Sequence, residues 1–194
     1  MLLIGISMMG WVPVAEGLME RSRPPEMSVS EFMAGREERN ARLLKKVKPS
    51  SDTKLDEETF RKTMAEVEKG VLRGPVYSVN DLPFQNIAVI IRHGIWEQHG
   101  DADVPSCRCI DDMLQGEHNA TVGTASSHRP TDPDGLVAQV RAVRLRFPQD
   151  QLKGWLCDLE KAYKQVPGDV TTMQWMTIAV WDTSRLQPAY FTPL

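Results

Sequence analysis

The sequence has few of the residues that hold small secreted domains together. Its 194 residues include only three cysteines, two of them the close pair Cys107 and Cys109. An odd number of cysteines with one close pair does not indicate a disulfide framework, so we expect an intracellular protein of the cytoplasm or nucleus. Neither sign of charge dominates, because 23 Lys and Arg stand against 26 Asp and Glu. Any nucleic-acid site must therefore come from a local cluster of basic residues rather than from the net charge.

Long apolar runs are also scarce. The stretch from Met1 to Ala15 carries no charge, but it is shorter than the about 20 residues that cross a membrane. A secretion signal would place basic residues before such a run, and no Lys or Arg precedes Arg21. We therefore expect neither a membrane protein nor a secreted one. Residues 1–27 are interpreted as a poorly defined apolar and linker segment.

Residues 28–70 are predicted to form a charged helical segment. Ser28 and Glu31 have the spacing of a capping box, which starts a first helix that Pro49 ends. A second helix is expected from Asp56 to Lys69, with Gly70 in the left-handed cap that follows it. Basic and acidic residues are balanced here, which is typical of solvated helices. The apolar face of the second helix has helical spacing: Phe60, Met64 and Val67.

The pattern changes after Gly70, where short strand-like runs alternate with turn residues. A polar loop is expected at 115–134 and a third helix at 135–147. Together these elements predict an α+β fold in which charged helices precede a small antiparallel sheet in residues 71–194. The strand-like runs are 76–79, 87–92, 106–111, 155–158, 174–181 and 189–192.

One strand-like run ends in a carboxylate, Asp158, and an aromatic residue, Tyr163, follows it. A carboxylate at the end of a buried strand can hold Mg²⁺ together with substrate phosphates. The same residue can simply cap the turn that follows. The residue types alone leave both interpretations open.

The run from Asp158 to Pro167, DLEKAYKQVP, resembles the first catalytic motif of reverse transcriptases, the RNA-directed DNA polymerases of eukaryotic retroelements. That motif is an Asp, three variable residues, Ala, an aromatic residue, two residues, an apolar residue and Pro. The segment Cys107–Asp112 is similar to the fingers segment of the same family. The tripeptide Arg92-His93-Gly94 stands where some members carry Arg, an aromatic residue and Gly. The resemblance covers about residues 55–194.

The resemblance implies the fingers and the first part of the palm of a right-hand polymerase, with residues 71–194 as a partial fingers-palm domain. The reaction would be nucleotidyl transfer, with template-primer and deoxynucleoside triphosphate as partners. Asp158 would be catalytic and would bind Mg²⁺ in a complete enzyme. The implied nucleotide-binding residues are Arg108, Asp112, Tyr163 and Gln165.

The family also needs a downstream Tyr-x-Asp-Asp motif, and these 194 residues contain none. We therefore expect a truncated chain that is inactive by itself and that self-associates through an exposed sheet edge. The only adjacent aspartates, Asp111 and Asp112, precede Asp158, so a permuted palm is an alternative. Two other readings stay open. One is a non-enzymatic retroelement remnant that binds nucleic acid or protein, and the other is an unrelated α+β domain.

Two further groups of residues have a functional and a structural interpretation. Basic residues near the third helix could follow the phosphates of a template or could form a solvated face. They are Arg129, Arg141, Arg144 and Arg146. The pair Cys107 and Cys109, with His118 and His128, could bind zinc, although buried core thiols account for the cysteines equally well.

Overall fold

The computed structural model describes residues 10–12, 19–98, 104–127, 133–151, 153 and 169–194. Its helices and strands follow one another in an α+β arrangement, as the sequence predicted. The strands are β1 (Gly10–Val12), β2 (Met19–Arg23), β3 (Leu72–Val76), β4 (Val89–Glu97), β5 (Ser106–Asp112), β6 (Val122–Ser127), β7 (Thr177–Asp182) and β8 (Gln187–Pro193). The helices are α1 (Val29–Ala34), α2 (Arg36–Leu44), α3 (Thr53–Glu68), α4 (Pro133–Arg146) and α5 (Val170–Met173).

Five strands form the main sheet, in the order β3-β8-β7-β4-β5. Most neighbours are antiparallel, but β4 and β7 run parallel from the pair Val89 and Thr177 to the pair Ile91 and Ala179. The expectation of a purely antiparallel sheet is therefore wrong. Parallel neighbours need a long crossover rather than a hairpin, and local sequence patterns do not reveal such a pairing. Within the described residues β3 and β5 are the edges of this sheet, and self-association through an edge remains a prediction.

A second, three-stranded sheet includes part of the N-terminal segment. β6 lies between β1, which is parallel to it, and β2, which is antiparallel. The polar loop expected at 115–134 thus contains a strand. The residues of β6 are small and mostly polar (VGTASS), so no hydrophobic alternation marked it as a strand.

The helical segment starts as predicted. The Ser28 hydroxyl accepts a hydrogen bond from the Glu31 N–H at 3.1 Å, and the Glu31 carboxylate accepts one from the Ser28 N–H at 2.9 Å. The first helix does not run on to Pro49, because the chain turns at Gly35 and separates α1 from α2. The second helix begins earlier than expected, with Asp52 as its N-cap. Gly70 has a φ of +68°, the left-handed conformation predicted for it.

The main sheet has a helix on each face. On one face α3 places its apolar residues against Leu72, Ile178 and Phe191. On the other face Leu43 and Val47, from α2 and the segment after it, pack on Val89 and Ala179. The apolar residues of α3 are those predicted: Phe60, Met64 and Val67.

Other boundaries differ in detail. The strand expected at 76–79 lies earlier, as β3, and β4 extends beyond Arg92 to Glu97. The third helix is confirmed as α4, while the strand expected at 155–158 lies outside the described residues. Among the described residues, no helix combines the length and the apolar composition that crossing a membrane requires.

Close contact between α3 and β4 depends on Gly94. A Cβ atom built on Gly94 would overlap the Thr59 hydroxyl and lie 3.0 Å from Leu55 Cδ1 and 3.1 Å from Cys107 Sγ. Thr59 and Cys107 are buried, so these atoms have little room to move. The absence of a side chain at Gly94 sets the distance between the helix and the sheet.

We therefore expect Gly94→Ala to lower the free energy of unfolding by about 1–3 kcal/mol, the usual cost of overpacking a core. Urea denaturation followed by circular dichroism measures this change. Gly35→Ala is the matched control, because a Cβ there would lie 3.5 Å from its nearest neighbour. If Gly94→Ala and Gly35→Ala had the same free energy of unfolding, α3 could move away from β4 at no energetic cost.

Candidate functional site

The side chains of β5 alternate between the two faces of the main sheet. Cys107 and Asp111 lie on the α3 side, since Cys107 Sγ is 3.5 Å from Thr59 Oγ1 and Asp111 contacts the buried Arg92. Arg108 and Asp112 therefore lie together on the opposite face. Two of the predicted nucleotide-binding residues thus share one surface of the hairpin formed by β4 and β5.

Arg108 is accessible on this surface. Its side chain is 56% exposed, and its Nε lies 2.8 Å from Oε2 of Glu97 on the neighbouring strand. Exposed ion pairs of this kind contribute roughly 0–1 kcal/mol, so Glu97 holds the guanidinium only weakly. The neighbour directly across from Arg108 is Ile95, which is 43% exposed. The surface around Arg108 is thus open to an anionic ligand.

Asp112 anchors the turn that follows β5. Its two carboxylate oxygens accept hydrogen bonds from the backbone and side-chain N–H groups of Gln115 at 2.8 and 2.7 Å. Partial burial alone would raise the pKa of Asp112, but these hydrogen bonds and the nearby His93 hold it below its ordinary value. The Gln115 side chain also accepts a hydrogen bond from Lys46 at 2.6 Å. Asp112 is thereby fixed as an anion beside the Arg108 surface.

A buried ionic network lies on the other face of the hairpin. The Arg92 side chain is 1% exposed and donates to both carboxylate oxygens of Asp111, at 2.6 and 2.8 Å. From the same guanidinium, Nη1 donates to Glu66 at 2.9 Å and to Thr63 at 3.2 Å. Burial by itself would lower the pKa of Arg92, but the hydrogen bonds and charges of Asp111 and Glu66 raise it above its ordinary value. Arg92 therefore remains a cation inside the fold.

This network determines what the adjacent aspartates can do. Asp111 pairs with Arg92 on one face of β5, whereas Asp112 binds Gln115 on the other. Two carboxylates on opposite faces of a strand cannot share a metal ion. The structure thus gives no support to a permuted palm built on this pair.

Removing the charge of Asp111 leaves the buried cation Arg92 with one of its two carboxylate partners, Glu66. We expect Asp111→Asn to lower the free energy of unfolding by about 3 kcal/mol, near the low end of the cost of breaking a buried pair, because Glu66 still contacts Arg92. Asp112→Asn is the control one residue away, and its exposed hydrogen bonds predict a change below about 1 kcal/mol. Denaturant unfolding of the two variants measures this difference. Equal losses of unfolding free energy in Asp111→Asn and Asp112→Asn would contradict the buried network.

Cys107 and Cys109 behave as core thiols. Cys107 is 2% exposed, and burial raises the pKa of Cys109 to about 11. Thiols with raised pKa values are poor nucleophiles and poor metal ligands at neutral pH. Within the part of the chain that the structure describes, no three His, Cys, Asp or Glu side chains are grouped to hold a metal ion. His128, the fourth residue of the possible zinc set, lies outside that part.

His118 is instead part of the packing around α1. Its Nε2 lies 2.6 Å from the carbonyl oxygen of Trp175, and its ring meets Phe32 edge-on at 4.9 Å between centroids. Since a carbonyl only accepts, Nε2 carries the hydrogen. Burial lowers the pKa of His118 to about 4 and keeps the ring neutral at physiological pH.

This lowered pKa predicts a pH dependence of stability. The pKa of His118 in the folded state lies below its ordinary value of about 6.5. Its contribution to the free energy of unfolding is therefore constant above pH 6.5 and decreases as the pH falls from there towards 4. The largest loss from this residue is roughly 3 kcal/mol. His118→Gln should flatten the decline in this range relative to the wild-type chain, while His93→Gln, at an exposed position, should not. Unfolding free energies measured across this pH range check the difference, and parallel curves for all three proteins would exclude His118 as the cause.

The basic residues of α4 are all exposed. Arg141, Arg144 and Arg146 lie on the helix surface, and Arg144 Nη1 donates to the carbonyl of Asp150 at 2.9 Å. The apolar residues of the same helix are exposed as well, among them Leu136 at 58% and Val140 at 49%. Both the template-phosphate and the solvated-face interpretations remain predictions, and Arg129 lies outside the described residues.

The core of the predicted catalytic motif is not described. Asp158, Tyr163 and Gln165 lie in the undescribed stretch between residues 153 and 169, so the Mg²⁺ assignment remains a prediction.

The residues that the sequence reasoning missed are the buried polar residues around Arg92. Their spacing on α3 was a usable signal, because Thr59, Thr63 and Glu66 recur at helical intervals beside the apolar stripe.

Comparisons of the chain with protein-family models, with curated proteins and with solved structures found no match. The resemblance to reverse transcriptases therefore depends on the motif residues themselves.

Proposed function

We propose that the chain is the fingers and first palm segment of a reverse-transcriptase-like protein, an RNA-directed DNA polymerase by descent. Its described part would bind the triphosphate of an incoming nucleotide through Arg108. The 194 residues lack a Tyr-x-Asp-Asp motif, so we propose that this chain does not catalyse nucleotidyl transfer by itself. The roles of Asp158, Tyr163 and Gln165, and of Mg²⁺ at Asp158, stay as the resemblance implies them.

The observation that carries the proposal is the position of Arg108. It is an exposed guanidinium on an antiparallel hairpin, and it lies on the face that the buried Arg92 network does not occupy. Two neighbouring arginines on one hairpin thus have different surroundings: Arg92 is buried and paired with two carboxylates, whereas Arg108 is exposed and paired with the partly buried carboxylate of Glu97. Only Arg108 can exchange its partner for a ligand at low cost.

A triphosphate is a suitable competitor for Glu97. Guanidinium groups bind phosphate oxygens through charge-assisted, often bidentate hydrogen bonds. A triphosphate carries several negative charges, whereas Glu97 carries one. The pair with Glu97 therefore keeps Arg108 oriented in the free protein without preventing phosphate binding.

A non-enzymatic binding module is the second candidate, and α4 is the observation that favours it. Its apolar residues remain exposed within the described part of the chain, including Val143 at 44% and Leu145 at 84%. Exposed apolar surface of this kind often marks a protein contact. This candidate predicts no dependence of nucleotide binding on Arg108.

The test is the affinity of the chain for a deoxynucleoside triphosphate with Mg²⁺ present, measured by calorimetric titration. We expect Arg108→Ala to weaken binding roughly 10- to 100-fold, the effect of losing hydrogen bonds to a charged group. Arg61→Ala is the matched control, because Arg61 is 66% exposed and also pairs with one carboxylate, Glu58 at 2.6 Å. Equal affinities of the two variants would refute the assignment of Arg108 and leave the binding module as the better account.

A further inference from the structure

A cleft lies where the parallel strands β4 and β7 separate. Their pairing ends at Ile91 and Ala179, although β4 continues to Glu97 and β7 to Asp182. The cleft has a volume of about 250 Å³ and lies between these strands and the connection from α2 to α3. An apolar cavity of about 150 Å³ is large enough to bind benzene, so this cleft has room for one ring with a short substituent.

Apolar side chains line the cleft on the side of the sheet that α2 covers. Val47 is 7% exposed, and Ile91 of β4 packs against the same apolar cluster. Trp181 follows Ala179 by two residues, so its indole ring lies on this side of the sheet as well, where it is partly exposed. A flat ring in contact with these side chains is removed from water and gains the additional attraction of an aromatic pair with the indole.

The backbone of Trp181 also faces the cleft. The Thr177 N–H donates to the Ala88 carbonyl at 3.1 Å, so Thr177 and every second residue after it direct their backbone groups towards β4. Trp181 is one of these residues, and the pairing with β4 stops before it. Its neighbour in β8, Pro188, has no N–H, in agreement with this orientation. Within the described residues, the Trp181 N–H therefore has no strand partner and can donate to a ligand.

The basic groups of the cleft differ in what they already bind. Lys46 donates to Gln115 at 2.6 Å, and the Arg92 guanidinium is paired with two carboxylates. Lys48 is exposed and forms no hydrogen bond or ion pair with another described residue. Lys48 is thus the lysine of the cleft that can bind an anion without giving up a partner.

One available ammonium group favours a ligand with a single negative charge. A phosphate monoester carries about two charges at neutral pH and would need a second cation. The lining also contains a carboxylate, Asp56, which accepts a hydrogen bond from the Ser50 N–H at 2.8 Å and repels multiply charged ligands. The charges of the cleft therefore fit a carboxylate better than a phosphate.

We propose that this cleft binds a small aromatic carboxylate, a single ring that carries one carboxylate group. The ring lies against the Trp181 indole, and the carboxylate accepts hydrogen bonds from the Lys48 ammonium group and the Trp181 N–H. The inference does not depend on the proposed function, because the nucleotide site at Arg108 is not part of the described lining.

The experiment titrates the full chain into 4-fluorobenzoate and follows the fluorine signal by NMR. A ligand of this size should bind with a dissociation constant of about 0.1–1 mM. The neutral 4-fluorobenzamide should bind about 5-fold more weakly or worse, because it cannot pair with the ammonium group. Equal affinities for the acid and the amide would overturn the proposal.

The need for an aromatic ring is tested on the wild-type chain. The saturated analogue trans-4-fluorocyclohexanecarboxylate keeps the charge but cannot form an aromatic pair with Trp181. It should bind about 2- to 10-fold more weakly than 4-fluorobenzoate. Equal or tighter binding of the saturated analogue would show that the cleft does not select aromatic ligands, contrary to the proposal.

The ammonium group is tested with Lys48→Gln, which should weaken 4-fluorobenzoate binding roughly 5- to 10-fold. Lys45→Gln is the matched control, because Lys45 belongs to the same KKVK run, is exposed and lies outside the cleft lining. Equal affinities of these two variants would exclude Lys48 as the anion-binding group and overturn the proposal.

The indole ring is tested with Trp181→Leu, which should weaken binding about 2- to 10-fold, whereas Trp181→Phe should retain most of it. Trp96→Leu is the control, because Trp96 is 42% exposed and bonded to Asp52 at the start of α3. Wild-type affinity in a folded Trp181→Leu variant would contradict the proposal. If Trp181→Leu unfolds, the comparison of the aromatic and saturated ligands decides.

Competition separates this site from the proposed nucleotide site. A deoxynucleoside triphosphate with Mg²⁺ should not displace 4-fluorobenzoate. Displacement that is lost in Lys48→Gln would assign the cleft to nucleotides and overturn the proposal. Loss of 4-fluorobenzoate binding in Arg108→Ala would place the ligand at Arg108 instead, with the same consequence.

Discussion

Burial of the Arg92 guanidinium constrains the arrangement of α3, β4 and β5. A cation removed from water is tolerated only where carboxylates and hydrogen-bond acceptors surround it, and here they come from three elements. Glu66 and Thr63 lie on α3, Arg92 lies on β4, and Asp111 lies on β5. A shift of the helix along the sheet, or a slip of one residue between the strands, would separate the guanidinium from a carboxylate. The network thus fixes the register of these elements more sharply than the apolar contacts alone can do.

The alternation of side chains along β4 and β5 carries this constraint to the surface. When Asp111 lies beneath α3, Arg108 and Asp112 must lie on the other face, because neighbouring residues of a strand point to opposite sides. Gly94 serves the same arrangement, since its missing side chain lets Thr59 and Leu55 of α3 lie close to β4. The exposed position of Arg108 is in this sense a consequence of the buried position of Arg92.

Features that depend on local chemistry could be predicted from the sequence. The capping box at Ser28 and Glu31, the left-handed Gly70 and the apolar stripe of α3 each depend on residues close together in the chain. The position of β5 was close to the prediction, which placed Arg108 on a strand at 106–111, one residue short of the observed end at Asp112. The spacing of the motif residues could not predict on which face of the sheet Arg108 and Asp112 lie.

What could not be predicted depends on residues far apart in the sequence. The parallel pairing of β4 with β7 joins segments that show only apolar runs, and such runs do not specify a partner. The Arg92 network was missed because a charged residue in a strand was read as part of a motif rather than as part of the core. The cleft beside Trp181 follows from the same long-range pairing, since it forms where β4 and β7 separate.

That pairing also affects the order in which the chain can assemble during synthesis. Val89 pairs with Thr177, 88 residues later (177 − 89 = 88), whereas the hairpin of β4 and β5 closes between Glu97 and Ser106. At about 5–20 residues per second, a ribosome needs roughly 4–18 s to add that interval. Once β5 has been added, β4 has its hairpin partner but not yet its parallel neighbour, so one side of the strand has backbone groups with no strand to pair with. A nascent chain in that state offers an edge to other chains, and a holdase that covers apolar strand edges would act during this interval.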